Sequence, residues 1–249
     1  MTAISSINSD INLNNLYKNI VPNELITYIQ HGSLGIKGES KKQKRKSRVP
    51  KKQKSFFNQV TLHVNCDKIV NVKLFNNGKI QMTGLKYETH GEKVLQSLLP
   101  HLQELDTQSD DTQSDTKILS HNQPLTYEPF NIVLINSDFS IGYKVKRELV
   151  HREIVDAGMY SSYEPCIYPG VNIKYYYNQD TDNGICQCNL MCNGKGNGCG
   201  DGCCKKVTIV VFMSGQIIIT GARSRDQLEL SYNFISKFIN SKKELLELR

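Results

Sequence analysis

The sequence predicts an α+β fold made of one motif written twice, each copy an antiparallel strand pair followed by a helix. Three observations carry this. Setting residue 70 on residue 207 aligns VNVKLFNNGKIQMTGLK with VTIVVFMSGQIIITGAR, so that Phe75, Gly78, Ile80, Thr83 and Gly84 match Phe212, Gly215, Ile217, Thr220 and Gly221. Within each copy apolar residues alternate on both sides of a glycine, as in a hairpin and its turn. Beyond each hairpin the apolar spacing lengthens to the helical period.

In chain order, a short helix is expected at residues 12–20. Residues 37–54 then hold Lys37, Lys41, Lys42, Lys44, Arg45, Lys46, Arg48, Lys51, Lys52 and Lys54 against one acid, Glu39, and account for the formal charge of +7. With no hydrophobic period they read as a basic insertion at about 37–55: a solvated run, a localisation-like signal or a nucleic-acid-binding tail. The first hairpin follows. The helix predicted over 90–105 places Val94, Leu95, Leu98, Leu99 and Leu102 on one stripe, and Pro100 is expected to kink or shorten it. The first repeat thus spans residues 1–105. Residues 106–126, with TQSD written twice, read as an acidic flexible linker. The second repeat, 127–249, has a short helix near 144–151, a Cys-rich insertion at about 178–206, the second hairpin, and a helix over 224–249. That helix lines up Leu228, Tyr232, Ile235, Phe238 or Ile239, and Leu245 or Leu246.

Several functions are excluded at this stage. No apolar run approaches the ~18 residues of a membrane span, and residues 1–11 lack a basic start or an apolar run like a secretory signal. An intracellular protein is expected. The six histidines are scattered, neither a Ser/His/Asp nor an H-E-x-x-H arrangement is present, and no phosphate-cradling glycine loop precedes a helix, so no enzyme is expected.

The second hairpin is apolar on both faces. If Val207, Ile209, Val211, Ile217 and Ile219 meet the helices, then Thr208, Val210, Phe212, Ile218 and Thr220 form the opposite face. Either further helices cover that face or a partner does, and the chain offers few helices for the purpose.

Cys186, Cys188, Cys192, Cys199, Cys203 and Cys204 crowd into one segment, with ligands enough for a tetrahedral metal site and two to spare. A structural zinc, or a loop of free thiols or disulfides, fits the spacing, and the spacing does not choose which four would bind. Cys66 and Cys166 stand apart.

YEPCIYPG (163–170) resembles the YEPELFPG motif of the TATA-box-binding protein family, and FMSGQIIITGAR resembles that family's FVSGKVVLTGAK. LFNNGKIQMTGLK is similar to the matching stretch of its first repeat; AISSINSDINL and FNIVLINSDFSIGYKV are similar to the opening strands of its two repeats. The resemblance implies a pseudo-twofold saddle, a curved antiparallel sheet with helices on its convex face and the minor groove of AT-rich promoter duplex DNA against its concave face. It implies a transcription initiation factor that bends DNA with aromatic wedges, Phe57 and Phe75 in one half, Tyr168 and Phe212 in the other. Minor-groove contacts would be Asn131, Val133, Thr83, Thr220, Ile218, Gln81 and Thr2, and phosphate contacts Lys73, Lys79, Lys86, Lys174 and Arg223. Lys73 and Gln81 replace residues that the family keeps apolar.

The resemblance further implies monomeric binding, docking of a transcription factor IIB-like protein at Glu164, Cys166 and Ile167, and contact with the RNA polymerase machinery. It places the cysteine insertion beside that docking surface. DNA binding itself would need no cofactor. The insertions and the Asn/Lys/Ile-rich composition suggest a divergent source such as a large DNA virus or a protist, hence a nuclear, viral-factory or virion location. Two other readings stay open: a saddle-shaped interaction scaffold with little TATA selectivity, and a zinc-knuckle binder of RNA or single strands.

Overall fold

The computed structural model describes residues 1–32, 34–40, 56–108, 117–120 and 123–248. The basic run from residue 41 onward and most of the TQSD stretch lie outside them. The chain divides into two compact units, Met1–Val133 and Leu134–Arg249.

Unit 1 contains β1 (Thr2–Ser6), α1 (Leu13–Asn19), β2 (Ile26–His31), β3 (Gly35–Gly38), β4 (Gln59–Cys66), β5 (Lys68–Phe75), β6 (Lys79–Thr83) and α2 (His90–Gln108). All strand pairings are antiparallel, in the order β3-β2-β4-β5-β6-β1. Val60, Leu62, Val64, Val70, Val72, Leu74, Ile80 and Met82 alternate onto one face and are fully buried with Val94, Leu95, Leu98 and Leu102 of α2. Each such side chain contributes roughly 1.5–3 kcal/mol by leaving water. Within the stretch read as a linker, Ile118 and Leu119 join this core, and Asp106 Oδ1 accepts hydrogen bonds from both their amides.

Three elements of unit 1 differ from expectation. Strands β2 and β3 were not foreseen, and Lys37 belongs to β3 instead of to an insertion. Its ammonium donates to the carbonyls of Tyr17, Lys18 and Ile20 at 2.5, 3.1 and 2.9 Å, capping the end of α1 with a cation. Helix α2 continues through Pro100. The carbonyl that proline leaves unpaired belongs to Gln96, and both residues are exposed, so water can satisfy it while Leu98, Leu99 and Leu102 hold the buried stripe.

In the second half β7 (Asn131–Ser140) begins just before the unit boundary. It is followed by α3 (Arg147–Asp156), β8 (Tyr160–Ser162), β9 (Val171–Tyr177), β10 (Lys205–Val211), β11 (Gln216–Ala222), α4 (Arg225–Ser241) and α5 (Lys243–Leu246). The order is β7-β11-β10-β9-β8, again antiparallel. Val207, Ile209, Val211, Ile217 and Ile219 are fully buried on one face, with Ile235 and Ile239 of α4 also fully buried. The Ser224 hydroxyl caps α4 by accepting from the Gln227 amide. The helix expected over 224–249 breaks at Lys242, because the chain turns back and Leu248 N donates to Lys144 O while Glu247 bridges Val145.

Candidate nucleic-acid interface

In unit 1 the outward face is built by register. Thr2, Thr83, Asn71 and His63 stand in one cross-strand row, and Ile4, Gln81, Lys73 and Thr61 in the next. Gln59 lies opposite Phe75. Thr2 is nearly buried, whereas Thr83 is exposed and Asn71, Lys73, Phe75 and Gln81 are half-buried. Lys79 and Lys86 are exposed beside this face. Phe57 is 67% exposed, with its ring end 3.1 Å from where a Cβ on Gly32 would sit.

In unit 2 Thr208 pairs Thr220 and Val210 pairs Ile218 on the outward side. Lys174 Nζ donates to Thr208 Oγ1 at 3.0 Å, and burial, then the neighbouring Lys206, pushes the Lys174 ammonium below the ordinary lysine range. Arg223 is exposed. Tyr168 and Phe212 meet edge to face, with centroids 6.0 Å apart and planes at 60°, a pair geometry worth about 0.5–1.5 kcal/mol beyond area burial. They are seated on Gly170, where a Cβ would lie 2.9 Å from Tyr168 Cε1 and 3.2 Å from Phe212 Cε1. The YEPCIYPG loop leading to this pair is held by Arg147, whose guanidinium donates to Pro169 O and lies over the Tyr163 ring at 5.3 Å. Glu164 and Cys166 are exposed there and Ile167 is 84% exposed.

Asn131 is exposed and Val133 half-buried at the start of β7. Two outward residues of that strand were missed by sequence reasoning. Asn136 Oδ1 accepts from Thr220 Oγ1 at 2.6 Å, and Asp138 lies opposite Ile218, its carboxylate accepting from Gln216 Nε2 at 3.1 Å. A register shift between Ile219 and Ala222 sets which β7 residues face outward, and counting from a motif does not reveal it.

The cysteine insertion is ordered. Glycines let it pack tightly: a Cβ on Gly198 would lie 2.2 Å from the Tyr177 ring, and one on Gly196 would lie 2.1 Å from Cys203 O. Gln227 Nε2 donates to Asn197 O and ties the loop to α4. Cys186, Cys188, Cys192 and Cys204 bring their sulfurs within 4.8 Å of one another, a set that could hold a metal ion. The Cys204 sulfur is 3.3 Å from that of Cys188 and 3.8 Å from that of Cys186, and Asn178 Nδ2 donates to it at 3.6 Å. Burial before all else pushes the Cys204 thiol up to about 12. Cys199 and Cys203 lie outside this group. The loop's address also differs from expectation: it joins β9 and β10 where Tyr177 meets Lys205, while the Tyr168–Phe212 pair sits where Val171 meets Val211. The cysteines and the YEPCIYPG loop are thus at opposite ends of a ladder roughly 20 Å long.

Comparison with known proteins decides the family. The model of the family described as "Transcription factor TFIID (or TATA-binding protein, TBP)" matches residues 130–241. A "TATA-box-binding protein-like" chain of Acanthamoeba polyphaga mimivirus is 30% identical over 203 residues, covering 75% of this chain and 48% of that one. The chain is a divergent TATA-box-binding-protein-like protein. "TATA-box-binding protein 1" of Triticum aestivum is 24% identical over 162 residues, 65% of this chain and 50% of that one. The chain therefore spans about half the length of these curated relatives. Among solved structures, Methanococcus jannaschii TBP shares the fold, with a TM-score of 0.54 at 17% identity over 96% of this chain and 95% of that one. The matched stretch contains the second hairpin, YEPCIYPG and the cysteine loop. No helix among the described residues is long and apolar enough to cross a membrane.

Proposed function

We propose that this TATA-box-binding-protein-like chain binds the minor groove of AT-rich promoter DNA, bends it and nucleates a transcription complex without catalysis. The observation that carries the reading is the Tyr168–Phe212 pair standing on Gly170 at the end of an outward face floored by Thr208, Val210, Ile218 and Thr220. Rings so placed enter between base steps, replacing part of the lost stacking and kinking the duplex. Phe57 and Phe75 serve the other half. Lys79, Lys86, Lys174 and Arg223 neutralise phosphates, so binding weakens with salt. Thr83 and Thr2 complete the groove contacts, joined by Asn136, while Asn131 and Val133 have the strand parity of the buried Ile135 and support that edge of the face.

A transcription factor IIB-like protein docks on Glu164, Cys166 and the exposed Ile167. The site of action is inside a cell or virus factory, in keeping with the mimivirus relative. Zinc is the metal that Cys186, Cys188, Cys192 and Cys204 fit best, since Zn–S bonds of ~2.3 Å at tetrahedral angles set sulfurs ~3.8 Å apart, against 3.3 and 3.8 Å here. When bound it would cross-link the loop, and Asn178 would orient the Cys204 sulfur from outside.

A bending assay on AT-rich and GC-rich duplexes with the parent and Phe212→Ala tests the reading. Bending that falls sharply in the variant is expected, and unchanged bending would remove the wedge assignment. A parent that binds every duplex equally and leaves it straight favours the interaction scaffold, to which the polar Lys73 and Gln81 lend support.

A further inference from the structure

The repeat relation sets Lys73 and Gln81 on Val210 and Ile218. Each is a directly opposed cross-strand pair on an outward face, so the same site is polar in unit 1 and aliphatic in unit 2. Beside Ile218 the next strand supplies Asp138, and beside Gln81 it supplies Ile4. Each face therefore carries one hydrogen-bonding side chain next to an aliphatic neighbour: the Gln81 amide, which both donates and accepts, and the Asp138 carboxylate, which only accepts. Among the described residues the Gln81 amide has no partner, and the Asp138 carboxylate has one donor, the Gln216 amide at 3.1 Å, which leaves acceptor capacity free.

The minor groove discriminates between these groups. A·T pairs display only acceptors there, whereas a G·C pair adds the guanine N2 amino donor. A carboxylate on an A·T edge meets lone pairs alone and, once desolvated, is left unsatisfied. The guanine amino group is the one donor on a base edge in that groove that can satisfy it. Lys73 does not choose, since its ammonium donates to acceptors that all four pairs present, but it offsets phosphate charge close to Gln81.

We infer that the DNA target carries a G·C pair over Asp138, beside kinked steps that stay AT-rich, and that this carboxylate determines specificity by accepting from guanine N2, whereas the Gln81 amide serves either pair by turning its oxygen or its NH2 to the base edge. This rests on the minor-groove reading above. It alters the target from an unbroken A·T run to a mixed site whose flexible steps lie where the aromatic rings enter.

The test is equilibrium binding to three duplexes sharing the same TA steps at the kink positions, with the intervening pairs A·T, G·C or inosine·C. Inosine removes the N2 amino group and little else from the groove. The parent should bind the G·C duplex at least as tightly as the A·T duplex, and inosine should weaken binding about tenfold, the scale of one mismatched pair. Asp138→Val should erase the inosine effect and shift the preference to A·T. Tighter parental binding to A·T than to G·C by about tenfold, with inosine restoring affinity, overturns the inference. If no duplex is bound or bent, minor-groove binding fails instead, and the two failures are distinguished by the A·T duplex alone.

Discussion

Replacing Gly170 by alanine sets two opposed effects against each other. An added Cβ would lie 2.4 Å from Val210 Cγ1, where carbon pairs prefer about 3.5–4.0 Å. Gly170 is not among the residues with positive φ, so alanine meets no backbone penalty and gains about 0.4–1 kcal/mol by restricting the unfolded chain. Against this, Val210 is 5% exposed in the middle of the β9–β10–β11 ladder and cannot swing aside. Displacing a packed strand residue costs about 1–3 kcal/mol, and Tyr168, 40% exposed, yields at smaller expense. The net expectation is a loss of about 1–2 kcal/mol, with Tyr168 and Phe212 pushed from their edge-to-face contact. Urea unfolding at unchanged m-value measures it, and a cycle with Val210→Ala should show a coupling of about 1 kcal/mol because the clash loses its partner atom. An alanine variant as stable as the parent, or additive with Val210→Ala, would refute the packing argument.

Two further outcomes concern the cysteine loop and the end of α1. Metal analysis of protein purified without chelator should give zinc bound to the parent and to Cys199→Ser and Cys203→Ser, but not to Cys188→Ser or Cys204→Ser; retention by either of the latter pair would disprove the ligand set. Lys37→Met should cost about 1–3 kcal/mol in denaturant unfolding by leaving the α1 carbonyls without their cation, and a neutral effect would mean that water caps the helix equally well.

The repeat was legible because hairpin and helix write different periods into the chain, and Gly78 and Gly215 mark the same turn in both copies. Both glycines have positive φ, and a Cβ on Gly215 would lie 2.0 Å from Tyr143 O. The outward faces were legible by parity within each hairpin, which is why Lys73, Gln81, Ile218 and Thr220 appear where alternation puts them. Parity failed across the bulge beside Ile219, and with it went Asn136 and Asp138. Strand β3 was hidden because Lys37 reads as one more charge in a basic run until its ammonium is seen on α1. The metal candidates were legible as a class but not as a set, because Cys204 comes from the far side of the loop and its distance to Cys186 exists only once the loop has closed.

A hairpin copied unchanged would be indifferent to which of its copies a partner met. Lys73 and Gln81 in one half, Val210 and Ile218 in the other, end that indifference. One copy offers a partner an ammonium and an amide, the other two aliphatic side chains, so a partner can tell the copies apart. A duplicated fold acquires polarity here by exchanging two side chains in a strand pair, with no change to its backbone.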